Sequence, residues 1–118
     1  MGEPLVWAVK NGDLDQVKSL APTVDLNKEL INGRMAIHFA ADYGQKDVIE
    51  YLITRKADVN IPDKHGITPL LAAVFEDHAE CVRLLIQNGA RKDGKAPGGQ
   101  SYIDCAESDA VRRALLES

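Results

Sequence analysis

The chain has 118 residues, 45% hydrophobic and 27% charged, and fourteen basic against eighteen acidic side chains give a net charge of −4. That size and balance fit one soluble globular domain over 1–118, and the acidic charge argues against nucleic acid or an anionic membrane as partner, since both select a positive surface. Two cysteines are too few for a disulfide framework or a four-thiolate zinc site, and no apolar run approaches the ~20 residues that cross a bilayer.

From its N-terminus onward the chain repeats itself. The opening Met1-Gly2-Glu3-Pro4 has no basic stretch before an apolar one, so no secretory signal is read, and a cytoplasmic setting with diffusion into the nucleus is expected. Pro4 suits the first turn of a short helix, where a missing N–H costs nothing, and Gly12 suits a left-handed helix end. At an offset of 32, Leu5, Ala8, Gly12, Asp15 and Leu20 meet Ile37, Ala40, Gly44, Asp47 and Leu52. Asp25 and Asn27 meet Asp58 and Asn60 at an offset of 33, so the first unit is one residue short near Pro22.

The second and third units align without a gap when 32–60 is laid on 65–93. Gly33, Ala40, Leu52, Ile53 and Ala57 meet Gly66, Ala73, Leu85, Ile86 and Ala90, and apolar meets apolar between them. In the third unit, Thr68-Pro69 reads as a capped helix start, and Leu70, Ala73 and Val74 form the stripe of a two-turn helix over 69–76. A break at Asp77-His78 puts an aspartate in the slot of Gly12 and Gly44, at modest cost in the left-handed region. The following helix, 80–87, is apolar around most of its circumference, as is its counterpart carrying Val48, Ile49, Tyr51, Leu52 and Ile53. Such a helix needs cover on more than one side, which one helix pair cannot give and a stack of pairs can. Asp15, Asp47 and Glu80 read as first-turn carboxylates favoured by the helix dipole.

Segment 57–66, rich in Asp, Asn, Pro and Gly with Val59 and Ile61 alternating, reads as an extended, hairpin-like finger. Gly99, Ser101, Ile103 and Ala106 lie 33 after Gly66, Thr68, Leu70 and Ala73, and the last unit closes early with Val111, Ala114, Leu115 and Leu116. The expectation is an all-α solenoid of four helix pairs with short fingers, in units of about 2–32, 33–65, 66–98 and 99–118, the outer two acting as caps.

Signs of catalysis or metal binding are thin. Ser19, Ser101, Ser108 and Ser118 stand in no nucleophile elbow, and Lys95 among Gly94 and Pro97-Gly98-Gly99 does not complete a phosphate-binding loop. His78 and Cys81 are two ligands where a zinc site needs more. Cys81, in register with Val48, reads as a core residue, while Cys105 on a thin last unit reads as partly accessible. No cofactor or metal is expected. A small enzyme, the alternative of a different class, would need a cleft with converging titratable groups.

The period of 33 and the run Thr68-Pro69-Leu70-Leu71-Ala72-Ala73 resemble the ankyrin repeat, departing at Leu71, where histidine is usual; His38 supplies that histidine in the second unit. More specifically, Lys10-Asn11-Gly12-Asp13-Leu14-Asp15, Pro62-Asp63-Lys64-His65, Ile67 to Leu71 and Cys81-Val82 resemble the myotrophin family, with departures at 21–23, 28–34 and 95–100. The resemblance implies a non-enzymatic regulator that binds the heterodimeric actin-capping protein, covers its basic actin-contacting surface and prevents capping of filament barbed ends. An adaptor for another protein, such as a Rel-type transcription factor, is the alternative, because ankyrin surfaces are reused. The chain is expected to be monomeric on its own.

The family binds through finger tips and the exposed face of the first helices. Carried onto this sequence, that surface comprises Trp7, Lys10, Asn11, Arg34, Met35, Asp42, Tyr43, Lys64, His65, Phe75 and Glu76. Aromatics and arginine are the types most often energetic at interfaces. Trp7 could instead shield the end of the stack, and Tyr43 and Phe75 could fill grooves between units. Asp42 and Glu76 face either a basic partner or solvent. His38 is expected to serve structure, bonding backbone at a finger base.

Overall fold

The computed structural model describes residues 3–23 and 25–117. Met1, Gly2, residue 24 and Ser118 lie outside the described residues, and with them the outer ends of the expected units 2–32 and 99–118. Eight helices follow one another: α1 Glu3–Asn11, α2 Leu14–Leu20, α3 Ala36–Asp42, α4 Lys46–Thr54, α5 Pro69–Phe75, α6 Ala79–Gln87, α7 Tyr102–Cys105 and α8 Asp109–Glu117. A 3₁₀ turn, Ala21–Thr23, follows α2. No strand forms among the described residues. In the first three pairs each first helix packs on its own second helix and on the next first helix, so α3 lies between α1 and α5, and α4 between α2 and α6; in the fourth, α7 packs on α5 and α8 on α6. The result is an elongated stack of 37 × 24 × 21 Å. No described helix is long and apolar enough to cross a membrane.

Why the first helices are short is visible at both ends. Thr68 Oγ1 accepts from Leu71 N at 3.2 Å, Pro69 occupies the first turn, and Ser101 Oγ accepts from Asp104 N in the same way. The helices end in one repeated motif. Gly12, Gly44 and Asp77 take φ of 68°, 69° and 64°, and the next amides, of Asp13, Gln45 and His78, donate to the carbonyls of Ala8, Ala40 and Ala73 at 2.8–2.9 Å. Ala8, Ala40 and Ala73 are fully buried, so the equivalent places expected from the repeat are equivalent in space. Helix α5 ends at Phe75, one residue before the expected boundary, because Glu76 already turns out of the helix.

Two ladders run between layers. Asn27 accepts from Asp58 N at 2.8 Å and donates to Lys56 O at 3.4 Å; one layer on, Asn60 accepts from Arg91 N at 2.9 Å and donates to Gly89 O at 3.0 Å. Asp25 and Asp58 hold these asparagines by accepting their backbone N–H groups. Across the stack, Gln45 Nε2 donates to Lys10 O at 2.9 Å and His78 Nε2 to Asp42 O at 3.0 Å. The bare α-carbons of Gly12 and Gly44 make room for these side chains: a Cβ there would lie 2.5 Å from Gln45 Oε1 and 2.7 Å from the His78 ring. His78 thus belongs to the packing. Cys81 is buried, which pushes its thiol up to about 11.

The fingers differ from the expected hairpins. They are turns closed by few bonds, with isolated bridges Ile31–Arg34 and Lys95–Ser101 and no ladder. In the second unit Asn32 and Gly33 both take positive φ, 54° and 73°, which is the geometry of a type I′ turn. In the third, Asp63 organises the loop: its Oδ1 accepts from His65 N at 2.8 Å and Ile67 N at 3.0 Å. His38 serves the base of that finger. Its Nδ1 accepts from Met35 N at 3.0 Å, and its Nε2 donates to Ile61 O at 2.9 Å, a neutral tautomer fully buried in the stack.

The Asn60 bridge carries two bonds between layers, so Asn60→Ala should lower stability by about 1–3 kcal/mol, read as a shift of the urea midpoint. Burial, then the charge of Arg34, lowers the affinity of His38 for a proton below its ordinary 6.5. The unfolded chain therefore binds that proton first, and stability, complete above pH 6.5, should fall as the pH drops below it. His38→Gln should flatten the pH dependence of urea denaturation in that window.

Candidate interaction surface

Large apolar side chains of the second helices are mostly covered, Leu116 near the end of α8 being the exception, but three rings on the first helices are not. Trp7 is 61% exposed, Tyr43 48% and Phe75 41%. Trp7 lies in the middle of α1, and at that exposure it does not seal the end of the stack. Tyr43 caps α3 and Phe75 closes α5. Asn11 is exposed and donates from Nδ2 to Trp7 O at 2.8 Å, closing the end of α1 beside that ring.

The cations expected at this surface divide into two kinds. Lys64 and His65 are exposed at the tip of the third finger, where Lys64 N donates to Gly33 O at 3.2 Å and ties that finger to the second. Lys10 and Arg34 are internal struts. The Lys10 ammonium lies 5.3 Å from the centroids of both Phe39 and Tyr43, bridging the first two layers. The Arg34 side chain is only 20% exposed, contrary to its expected place on the open surface. Its guanidinium lies 5.0 Å from the Phe39 centroid, with Nη1 3.5 Å from Asp42 and Nε 3.6 Å from Asp63. Nε is buried and too far from that carboxylate for a hydrogen bond. Asp42, read as facing a partner or solvent, faces Arg34 instead. Met35 is half-buried beside them, and Glu76 is exposed.

Arg34, Asp42, Asp63, His65, Phe75 and Glu76 line a groove of about 310 Å³ between the second and third layers. Five of the eleven expected residues, Arg34, Asp42, His65, Phe75 and Glu76, are thereby placed around one concavity, whereas Trp7 and Asn11 stand apart on α1. Sequence reading missed Asp63, whose side chain is 2% exposed. Its signal was the comparison at offset 33, which sets this aspartate against Ala96 and so marks a bond that only one layer has. Among the described residues no group of three or more His, Cys, Asp or Glu could hold a metal ion.

Comparison with known proteins agrees with this architecture. A family model described as ankyrin repeats (3 copies) matches residues 5–96. Myotrophin of Xenopus tropicalis is 46% identical over 111 residues, covering 93% of this chain and 94% of that protein. Serine/threonine-protein kinase 12 of Arabidopsis thaliana is 36% identical over 91 residues, and there the chain spans only 20% of the relative's length. Among solved structures, a chain from the complex of a predatory endopeptidase with an immunity protein from Bdellovibrio bacteriovorus superposes with a TM-score of 0.87 at 28% identity. That match covers 97% of this chain and 62% of the other.

If the Asp63 turn bonds outweigh its charge, Asp63→Asn, which keeps an acceptor at Oδ1, should cost about 1 kcal/mol, and Asp63→Ala about 2–3 kcal/mol. Urea denaturation of the two variants separates the effects; equal losses would assign the position to its charge.

Proposed function

We propose, because this chain belongs to the ankyrin-repeat family and within it is myotrophin-like, that it is a protein-binding regulator of the heterodimeric actin-capping protein. The four helix pairs act as one binding unit, and the fingers with the first helices form its working face. The observation that carries the reading is the set of three exposed rings, Trp7, Tyr43 and Phe75, in a chain whose other large apolar groups are mostly buried. Exposed aromatics on a preformed scaffold supply contact area at little entropic cost, and such residues dominate interface energies.

The mechanism follows from shape and charge. A rigid acidic module with net charge −4 is drawn to a basic surface, where the rings bury against the partner and carboxylates such as Glu76 meet its cations. Seated on the actin-contacting surface of capping protein, it competes with the filament end by occupancy. No step requires bond making or breaking, in keeping with a non-enzymatic adaptor. A cytoplasmic setting, where the filaments are, belongs to the same proposal.

The test is binding to purified heterodimeric capping protein and relief of capping in a barbed-end elongation assay. Trp7→Ala and Tyr43→Ala should each weaken binding by about tenfold, a typical loss for an interface aromatic, with unchanged helical circular dichroism. Absence of binding by the folded wild-type chain at about 10 μM, a concentration that half-saturates a complex with a binding free energy near −7 kcal/mol, overturns the proposal.

A further inference from the structure

The grooves between successive helix pairs are related by the repeat, yet they are furnished differently. Between the first and second pairs, Lys10 lies against the Phe39 and Tyr43 rings. Between the second and third, Arg34 lies against the Phe39 ring and between the carboxylates of Asp42 and Asp63. In both places the chain supplies its own cation. Thirty-three positions further on, Arg34 is replaced by Ile67, Asp63 by Ala96 and Asp42 by Phe75. Among the described residues no cation takes that place in the groove between the third and fourth pairs.

This third groove encloses about 440 Å³, against about 310 Å³ for its neighbour. Ala96 and Cys105 lie along its floor, the half-exposed Phe75 ring is one wall, and Asp104 and Glu107 stand exposed at its rim. No lysine, arginine or histidine lines it. Neither rim carboxylate takes part in an ion pair among the described residues. A ring face and nearby carboxylates attract a cation together, the first through its quadrupole and the second through charge. A guanidinium suits this better than an ammonium, because its plane can stack on the ring while its edge donates to the acids. Arg34 supplies that arrangement within the neighbouring groove.

We propose that the groove between the third and fourth helix pairs is a docking site for an arginine side chain of a partner protein, carried on a segment whose adjoining apolar residue covers Pro97. The assignment does not depend on which protein the partner is, and so stands apart from the capping-protein reading.

The test uses the whole chain labelled with ¹⁵N, titrated with the peptide acetyl-Leu-Arg-Leu-amide and, as control, the same peptide with norleucine for arginine. The expected result is a set of amide shifts centred on Phe75, Gly98, Gln100 and Cys105, saturating weakly with a Kd of about 1 mM, as befits one side chain. Asp104→Asn combined with Glu107→Gln should weaken the arginine peptide about fivefold, and Phe75→Leu, which keeps bulk but removes the ring, about threefold. Equal binding of the norleucine peptide, shifts confined to the neighbourhood of Trp7 and Tyr43, unchanged affinity in these variants, or no shifts at about 10 mM peptide would each overturn the proposal.

Discussion

Everything in this molecule depends on the fact that one helix pair cannot cover its own second helix. Val48, Ile49 and Leu52 on α4, and Cys81, Val82 and Leu85 on α6, are all buried, and they are buried by neighbouring layers as much as by their own. Each large aliphatic side chain so covered contributes roughly 1.5–3 kcal/mol, far more than any single polar contact described above. The polar contacts set register instead. Asn27 and Asn60 on one side and Gln45 and His78 on the other can reach their backbone partners only when the layers are aligned.

Much of this order was legible in the sequence, for a physical reason. A repeat forces the same local chemistry to recur, so Ala8, Ala40 and Ala73, the left-handed slots at Gly12, Gly44 and Asp77, and the caps at Thr68 and Ser101 each announce themselves more than once. The fingers were less legible. Alternation at Val59 and Ile61 suggested extended hairpins, but a hairpin needs a partner strand, and here the turn is held by one buried aspartate.

The interaction surface was legible in part. Exposure of Trp7, Tyr43 and Phe75 follows from their standing outside the small-residue stripe of the first helices. The fates of Lys10, Arg34 and Asp42 did not follow, since a charged side chain on a first helix or finger can face solvent or fold back on the next layer. What decides between these is a ring within reach, one layer on for Lys10 and in the following helix of the same unit for Arg34. Phe39 provides it for both cations, and for Lys10 that information lies in the next unit rather than in its own.

The two ladders stop before the last layer. Position 93 is an aspartate where Asn60 stands one unit earlier, and Ser108, which precedes α8 as His78 precedes α6, accepts from Val111 N of its own helix instead of reaching the neighbouring layer. The fourth pair is held by buried Tyr102, Val111, Ala114 and Leu115, with the Thr68–Tyr102 hydroxyl contact at 2.9 Å, a lysine bond from Lys92 to Leu115 O and an exposed Arg83–Glu117 pair in place of the ladders. Register at that end consequently rests on apolar fit rather than on a repeated polar bond: a slip of α7 and α8 would break neither ladder, and the three bonded layers would keep their spacing.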